Sequence, residues 1–367
     1  MKISNNLFLG AMVALLAFSS CDKAKDDTYD IPTTYNFDNV DYSGQTQRLD
    51  MLSEISAYAK STNVANATAL DAVKLKDMYA NTNAQFSDAT LSASTKTIKD
   101  KMVSSTQSTF DTYIDALATA SQSTAATAAN GTAGIITNND NSKSYLLNAN
   151  GVELAQVLEK GIMGACFYYQ GTAVYLGSGK IDVDNEAIVD GQGTSMEHHW
   201  DEAFGYFGVP TDFPTNTTDL RFWGKYTNLH ETVYPLNDKI MDAFLKGRAA
   251  ISNDDMDARD EAIATIRKNW ELVVAASAIH YINEAINSSD AAVDHHSLSE
   301  AFGFLMGLKY GVGTLTVANV ESLLTDTFGS NDPLQVNLYN VTNAKLETAK
   351  TTLVGLLTDL SAEKDNL

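Results

Sequence analysis

Cysteine and proline are both scarce in this sequence. Its 367 residues contain only Cys21 and Cys166, so a scaffold held together by several disulfides is excluded. Cys166 lies in the apolar stretch GIMGACFYYQ, which predicts a small buried side chain without a catalytic role. With five prolines and few Asn-Gly turns between apolar runs, the chain lacks the turn chemistry of an all-β fold.

Basic residues are also few. The chain has 25 Lys and Arg against 46 Asp and Glu, a formal net charge of −21. Nucleic acids are therefore excluded as partners, because proteins bind them mainly by neutralising phosphates, and polyanionic glycans are disfavoured. The sequence also lacks His-Glu-x-x-His, Gly-x-Ser-x-Gly and a phosphate-binding Gly-Lys-Ser/Thr motif. These absences favour a non-enzymatic protein.

The N-terminus has the features of a lipoprotein signal peptide over residues 1–20. Lys2 provides the positive charge, Leu7–Phe18 form an apolar run too short to span a bilayer, and Ser19–Ser20 precede Cys21. We expect Cys21 to carry the lipid that anchors the chain to the outer membrane, with the cell surface as one location. Ordinary secretion with a free Cys21 is the alternative. Residues 21–42 are expected to form a flexible tether. Its first ten residues, CDKAKDDTYD, are acidic and resemble the short export signals that follow the lipidated cysteine in surface lipoproteins of Bacteroidetes; a plain solvated tether is the alternative.

The rest of the chain is dominated by helical periodicity. Apolar residues recur at the spacing of one helix face, as at Leu49, Leu52 and Ile55. We predict an all-α fold, a duplicated helical bundle with long irregular loops. The expected divisions are an N-terminal helical segment (43–120), a linker or loop (121–144) and a bundle core (145–367). One long helix is expected from about Leu220 to Gly247, kinked at Pro235.

Two stretches repeat the pattern His-x-x-x-Glu-Ala-Phe-Gly, which indicates an internal duplication. HHWDEAFGYFG contains His198 and Glu202, and HHSLSEAFGFLM contains His296 and Glu300. Residues four apart lie on one helix face, so each histidine is expected beside its glutamate. If the two helices face each other, the four side chains form a metal site for Fe or Zn.

Further ligands are available near each copy, and one more pair has the same spacing. His199 belongs to the predicted metal set, and the additional candidates are Asp201, His280, Glu284 and His295. The alternative is that each pair is a structural hydrogen bond, with Gly205 and Gly303 letting helices approach closely.

The run His199-Trp200-Asp201-Glu202 resembles the Gly-x-His-x-x-Glu motif of imelysin-like proteins, with Glu197 in place of the glycine. That resemblance implies paired helical bundles, an association with iron uptake and a metal site at His199 and Glu202. Most of the chain after Cys21 is also similar to an uncharacterised family of Bacteroidetes lipoproteins, a domain of unknown function. The similar stretches are IPTTYNFDNVDYSGQTQRLDMLSEI, GVELAQVLEKGIMGAC, EHHWDEAFGYFGVPTDFP and RFWGKY.

The expected function is that of a surface or periplasm-facing lipoprotein. It would bind a metal, a metal complex or a receptor partner in the outer membrane, in iron or metal acquisition. Two alternatives remain: a metal-dependent peptidase of imelysin-like type, and an interaction or glycan-binding scaffold without metal.

Overall fold

The prediction of an all-α fold is confirmed. The structure, a computed structural model, describes residues 29–367, so the predicted signal peptide and Cys21 lie outside the described residues. The helices are α1 (Ser43–Lys60), α2 (Ala72–Ala80), α3 (Ala89–Ala93), α4 (Gln107–Ser121), α5 (Leu154–Ile162), a π-helix (Met163–Tyr175), α6 (Ser178–Ile181), α7 (Ser195–Phe207), α8 (Phe222–His230), α9 (Asn237–Ser252), α10 (Met256–Asn287), α11 (Ala291–Gly307), α12 (Val317–Phe328) and α13 (Asn343–Leu356). Short 3₁₀ turns lie at Lys99–Lys101, Ser104–Thr106, Leu338–Asn340 and Thr358–Leu360. None of the described helices is long and apolar enough to cross a membrane.

The long helix α10 organises the packing. It contacts α9 along one side and α11 along another, and its Trp270 is fully buried. Helix α11 packs on α5, while α7 packs on the π-helix that continues directly from α5. Cys166, within the π-helix, is fully buried, as predicted. One continuous apolar core therefore supports both helices that carry the repeated motif.

The segment predicted as a linker contains regular structure. Strands β1 (Gly134–Thr137) and β2 (Ser144–Leu147) pair antiparallel, with Gly134 opposite Leu147. Ile135 and Leu146 are buried in the same core as the helices before and after the hairpin. Four residues per strand give too short an alternation to stand out from the helical pattern of the sequence.

Residues 31–42 pack against the helices, so the predicted tether does not extend to residue 42. Tyr35 is buried, its ring stacks on Phe204 of α7, and its backbone N–H donates to the carbonyl of Thr211 at 2.8 Å. An aromatic ring of this size buries enough apolar surface to fix a short extended segment.

The long helix expected from Leu220 is instead two helices, α8 and α9. The carboxylate of Glu231 accepts hydrogen bonds from the backbone N–H groups of Leu236 and Asn237, at 2.9 and 2.8 Å. These bonds satisfy N–H groups at the start of α9, which an uninterrupted helix would not expose. Pro235, lying just before them, therefore belongs to a turn and not to a kink.

Candidate functional site

The first motif copy lies on α7, whose N-terminus is closed by a capping box. Thr194 Oγ1 accepts from the Glu197 N–H at 3.2 Å, and Glu197 Oε2 accepts from the Thr194 N–H at 2.9 Å. Glu197 also forms an ion pair with the buried Arg248. Glu197 thus has two structural roles, in the cap of α7 and in an ion pair.

His198 and Glu202 lie on the same face of α7, as the spacing predicts. His198 Nε2 is 3.9 Å from Glu202 Oε2, a distance that permits an ion pair but is too long for a good hydrogen bond. The other ring nitrogen, Nδ1, is buried and has no hydrogen-bond partner within residues 29–367. Glu202 is held from the opposite side by Gln45 of α1, whose Nε2 donates to Oε1 at 2.7 Å. The pair is thus oriented without satisfying both histidine nitrogens.

His198 and Glu202 line a small cavity of about 130 Å³ between α1, α7 and the loops beside them. Its walls carry three cationic side chains and two carboxylates. The cations are Arg48, Lys96 and Lys101, and the carboxylates are Asp41 and Glu202. The cavity wall therefore carries more positive than negative groups, although the chain has a net charge of −21.

Arg48 is the most buried cation of this cavity, with 5% of its surface exposed. Its Nε donates to the carbonyl of Thr97 at 2.8 Å and its Nη1 to the carbonyl of Gly44 at 3.0 Å. These are its only hydrogen bonds within the described chain, and no carboxylate there forms an ion pair with it. Two backbone carbonyls therefore orient the guanidinium, but they do not neutralise its charge.

Lys101 also lines the cavity, and Tyr175 lies behind it as a hydrogen-bond partner. Lys101 Nζ donates to the hydroxyl of Tyr175 at 2.8 Å, and Tyr175 is the last residue of the π-helix. Burial lowers the pKa of Lys101, the charge of Arg48 lowers it further, and Glu202 opposes the shift. Burial also raises the pKa of Tyr175, with Glu202 adding to the effect. Arg48 and Glu202 therefore lie close enough to Lys101 to act on its charge.

The second motif copy, on α11, belongs to a network of ionic side chains whose opposite charges compensate one another. His296 Nε2 is 3.5 Å from Glu300 Oε1, and His296 Nδ1 donates to Glu153 Oε2 at 2.6 Å. The buried ammonium of Lys160 lies 3.7 Å from Glu300 and pairs with its neighbour Glu159. Each charge in this network has an opposite charge beside it, which is the usual arrangement of buried ionic groups.

The two copies do not converge. Glu300 lines a separate cavity of about 280 Å³ with Lys60, Lys160 and Lys225, and no residue lines both cavities. Within residues 29–367, no cluster of three or more His, Cys, Asp or Glu side chains is arranged to hold a metal ion. The joint site of two histidines and two glutamates, which required the two helices to face each other, is therefore not formed.

Both motif glycines lie at close helix contacts. A Cβ added to Gly205 would lie 2.6 Å from Tyr42 Cβ, and one added to Gly303 would lie 2.7 Å from Lys160 Cβ. Real Cβ atoms do not approach this closely. The alternative reading of the glycines, that they allow close packing, is confirmed at both positions.

His199 and Asp201 face away from the cavity and make structural contacts. His199 Nδ1 donates to the carbonyl of Lys180 at 2.6 Å, and Nε2 accepts from Lys180 Nζ at 3.3 Å, so both nitrogens are occupied. Burial lowers the pKa of His199. Asp201 is buried, accepts from Tyr35 OH at 2.7 Å and pairs with Arg248 at 3.1 Å. Burial raises the pKa of Asp201 to about 7, with these two partners opposing the rise.

The remaining candidates are also separate. His295 Nδ1 donates to the Gly151 carbonyl at 2.9 Å, and burial lowers the pKa of His295. Glu284 is exposed and accepts from Ser297 Oγ at 2.8 Å, while the His280 ring contacts His230 and Tyr281. The structure thus does not pair His280 with Glu284, although they lie four residues apart on α10.

Sequence reasoning missed Gln45, Arg48, Lys101 and Tyr175. For the first two, α1 carried a signal: Gln45 and Arg48 continue the buried stripe of Leu49, Leu52 and Ile55 toward the helix N-terminus. A polar residue on an apolar stripe marks either a buried ion pair or a polar site. Lys101 and Tyr175 carried no local signal, because long-range packing brings Lys101 to the cavity and Tyr175 to Lys101.

The fold and this cavity define an all-α protein with a small, cation-lined polar site beside a histidine–glutamate pair. Residues 32–331 match the family described as "Domain of unknown function (DUF4856)", so the chain belongs to that family. No curated protein and no solved structure matches the chain.

Proposed function

We propose that this chain is a non-enzymatic lipoprotein of the outer membrane, anchored through Cys21, that binds a metal complex in the cavity beside His198 and Glu202. Iron acquisition is the proposed context, with an outer-membrane receptor as partner. The observation that carries the proposal is the imidazole of His198, which lines a cavity together with Glu202 and whose Nδ1 has no hydrogen-bond partner within residues 29–367. Imidazole nitrogen and carboxylate oxygen are ligand types that both iron and zinc accept.

The residues of the cavity fit a metal complex better than a bare ion. His198 and Glu202 supply two ligands from the protein, whereas a closed zinc site needs about four. Arg48, Lys96 and Lys101 oppose a free cation, but they attract a complex whose own ligands are anionic. The metal would act as a Lewis acid that accepts the imidazole of His198 and the carboxylate of Glu202 as ligands. The cationic side chains would orient the complex and neutralise its negative charge.

The proposal applies to the first motif copy alone. In the second copy, Lys160 and Glu153 already neutralise Glu300 and His296, so no ligand is needed there. The resemblance of His199–Glu202 to imelysin-like proteins supports the iron context. In this chain, however, His198 and not His199 is the histidine that faces the cavity with Glu202.

The test is calorimetric titration of the full chain in detergent with ferric nitrilotriacetate. We expect His198→Ala and Glu202→Gln to weaken binding by at least about tenfold, since even indirect changes around a metal cost about 10–100-fold in affinity. His280→Ala is the matched control, a helical histidine with a glutamate four residues on but outside the cavity. The control should bind as the parent does. Equal affinity of His198→Ala, Glu202→Gln and the parent would refute the proposal.

A further inference from the structure

The cavity beside His198 contains a buried charge that the protein leaves uncompensated. Arg48 is 95% buried, yet its two hydrogen bonds go to neutral backbone carbonyls. A guanidinium stays protonated in proteins, so burial does not remove its charge. Other buried ionic groups of this chain, such as Lys160 and Arg248, have carboxylates beside them. Arg48 thus differs from the protein's own pattern.

Arg48 lines the cavity and has hydrogen-bond donors that the protein does not use. A guanidinium has five N–H donors; Nε uses one on Thr97 and Nη1 uses one on Gly44, so three remain. The remaining donors lie on the two terminal nitrogens, the edge that binds a carboxylate through two parallel hydrogen bonds. Because two backbone carbonyls hold the guanidinium, its remaining donors are oriented before a ligand arrives.

The other charged groups of the cavity support an anion at this place. Lys96 and Lys101 add two positive charges from the loop and 3₁₀ turn that precede α4, and Lys96 has no ion-pair partner in the described chain. Of the two carboxylates, Glu202 accepts from Gln45, and Asp41 accepts from the Ser43 N–H at 2.9 Å. Neither of them pairs with Arg48.

We infer that the cavity binds a small polycarboxylate, with Arg48 receiving one carboxylate group and Lys96 and Lys101 balancing the others. This inference rests on the proposed function and names the chelator of the metal complex by its chemistry. Arg48, Lys96 and Lys101 each carry one positive charge at a different point of the wall. They therefore suit an anion whose negative charges are spread over several carboxylates. A compact dianion such as phosphate would concentrate its charge at one of them.

The size of the cavity limits the ligand. A volume of about 130 Å³ is roughly that of four water molecules at about 30 Å³ each. It encloses one carboxylate group, or two at most, so the rest of a small hydroxy acid extends out of the cavity. The expected ligand class is therefore a small carboxylic acid with two or three acid groups, alone or holding a metal.

The test uses iron-free citrate as the probe, titrated into the full chain in detergent at two salt concentrations. We expect citrate to bind, more weakly at the higher salt, and Arg48→Gln to weaken it by tenfold or more. Arg221→Gln is the matched control: an arginine that pairs with Asp50 of α1 and lines the other cavity. It should stay within twofold of the parent. Helical circular dichroism verifies that each variant is folded, and Lys101→Gln, expected to weaken binding about threefold to tenfold, tests the site should Arg48→Gln not fold.

The outcomes separate this inference from the proposed function. If Arg48→Gln and Lys101→Gln both bind citrate with the affinity of the parent, the inference is overturned. This holds even if His198→Ala still weakens the binding of ferric nitrilotriacetate. If Arg48→Gln weakens citrate binding while His198→Ala leaves the affinity for ferric nitrilotriacetate unchanged, the inference is supported and the proposed function is refuted. Inorganic phosphate that displaces citrate at equal concentration overturns the polycarboxylate class.

Discussion

His296 Nδ1 donates a hydrogen bond to the fully buried carboxylate of Glu153 at 2.6 Å. Tyr145 stacks on the same imidazole, and Glu300 and Lys160 are the other charged groups that act on it. Burial alone would lower the pKa of His296, but the hydrogen bond and charge of Glu153, with Glu300, outweigh it and raise the pKa. The interaction of His296 with Glu153 therefore contributes to the stability of the fold.

The first prediction concerns the pH dependence of that stability. A histidine whose pKa is raised in the folded state stabilises the fold fully below its unfolded pKa of about 6.5. The contribution is lost as pH rises through the folded pKa, since the folded protein then holds no extra proton. The free energy of unfolding in urea should therefore fall more steeply above pH 6.5 for the parent than for His296→Gln. His295 and His199, whose pKa values are lowered, act below that range. Equal slopes for parent and variant would contradict the prediction.

The second prediction concerns the buried ion pairs of Lys160. Lys160→Met removes the ammonium beside Glu300, which is buried, while Glu159 keeps Lys60 at 2.6 Å. We expect a loss of about 3–5 kcal/mol in the free energy of unfolding, as is usual when one partner of a buried pair is removed. The double variant Lys160→Met/Glu300→Gln should recover part of it, because no uncompensated carboxylate remains.

Chemical denaturation of the parent, Lys160→Met and the double variant measures this loss of stability. Lys225→Met, at an exposed position beside the same cavity, is the control and should change stability by less than about 0.5 kcal/mol. A cost for Lys160→Met no larger than the control's would show that the network contributes nothing.

The third prediction distinguishes two helical glycines. A Cβ added to Gly247 of α9 would lie 2.1 Å from ring atoms of Trp200, whose indole N–H is fixed by the Phe244 carbonyl at 3.0 Å. Gly247→Ala should therefore destabilise the protein by about 1–3 kcal/mol, the usual cost of overpacking. Gly355→Ala, in α13 with nothing within 4 Å, should raise stability by roughly 0.5 kcal/mol. Thermal melts of both variants provide the measurement, and a stabilised Gly247→Ala would be inconsistent with this packing.

Local patterns in the sequence determined the helical class, the burial of Cys166 and the shared face of each histidine–glutamate pair. These features depend on neighbours within about one helical turn, which fixes residues four apart at about 5–6 Å. The break between α8 and α9 was missed for a related reason, since Glu231 caps α9 through a turn that no periodicity describes. Short strands β1 and β2 were missed because four residues carry too little pattern.

Tertiary packing alone decided the surroundings of each pair. With the same five identical residues, both His198 and Glu202 line one cavity, whereas His296 and Glu300 belong to a network around Lys160 and only Glu300 lines the second cavity. The difference comes from the helices that α7 and α11 pack against, which bring Arg48 to one motif and Lys160 to the other. Such contacts join residues more than a hundred positions apart, and they are selected by burial of the whole apolar core. The sequence determines these long-range contacts, but no local spacing of residues predicts them.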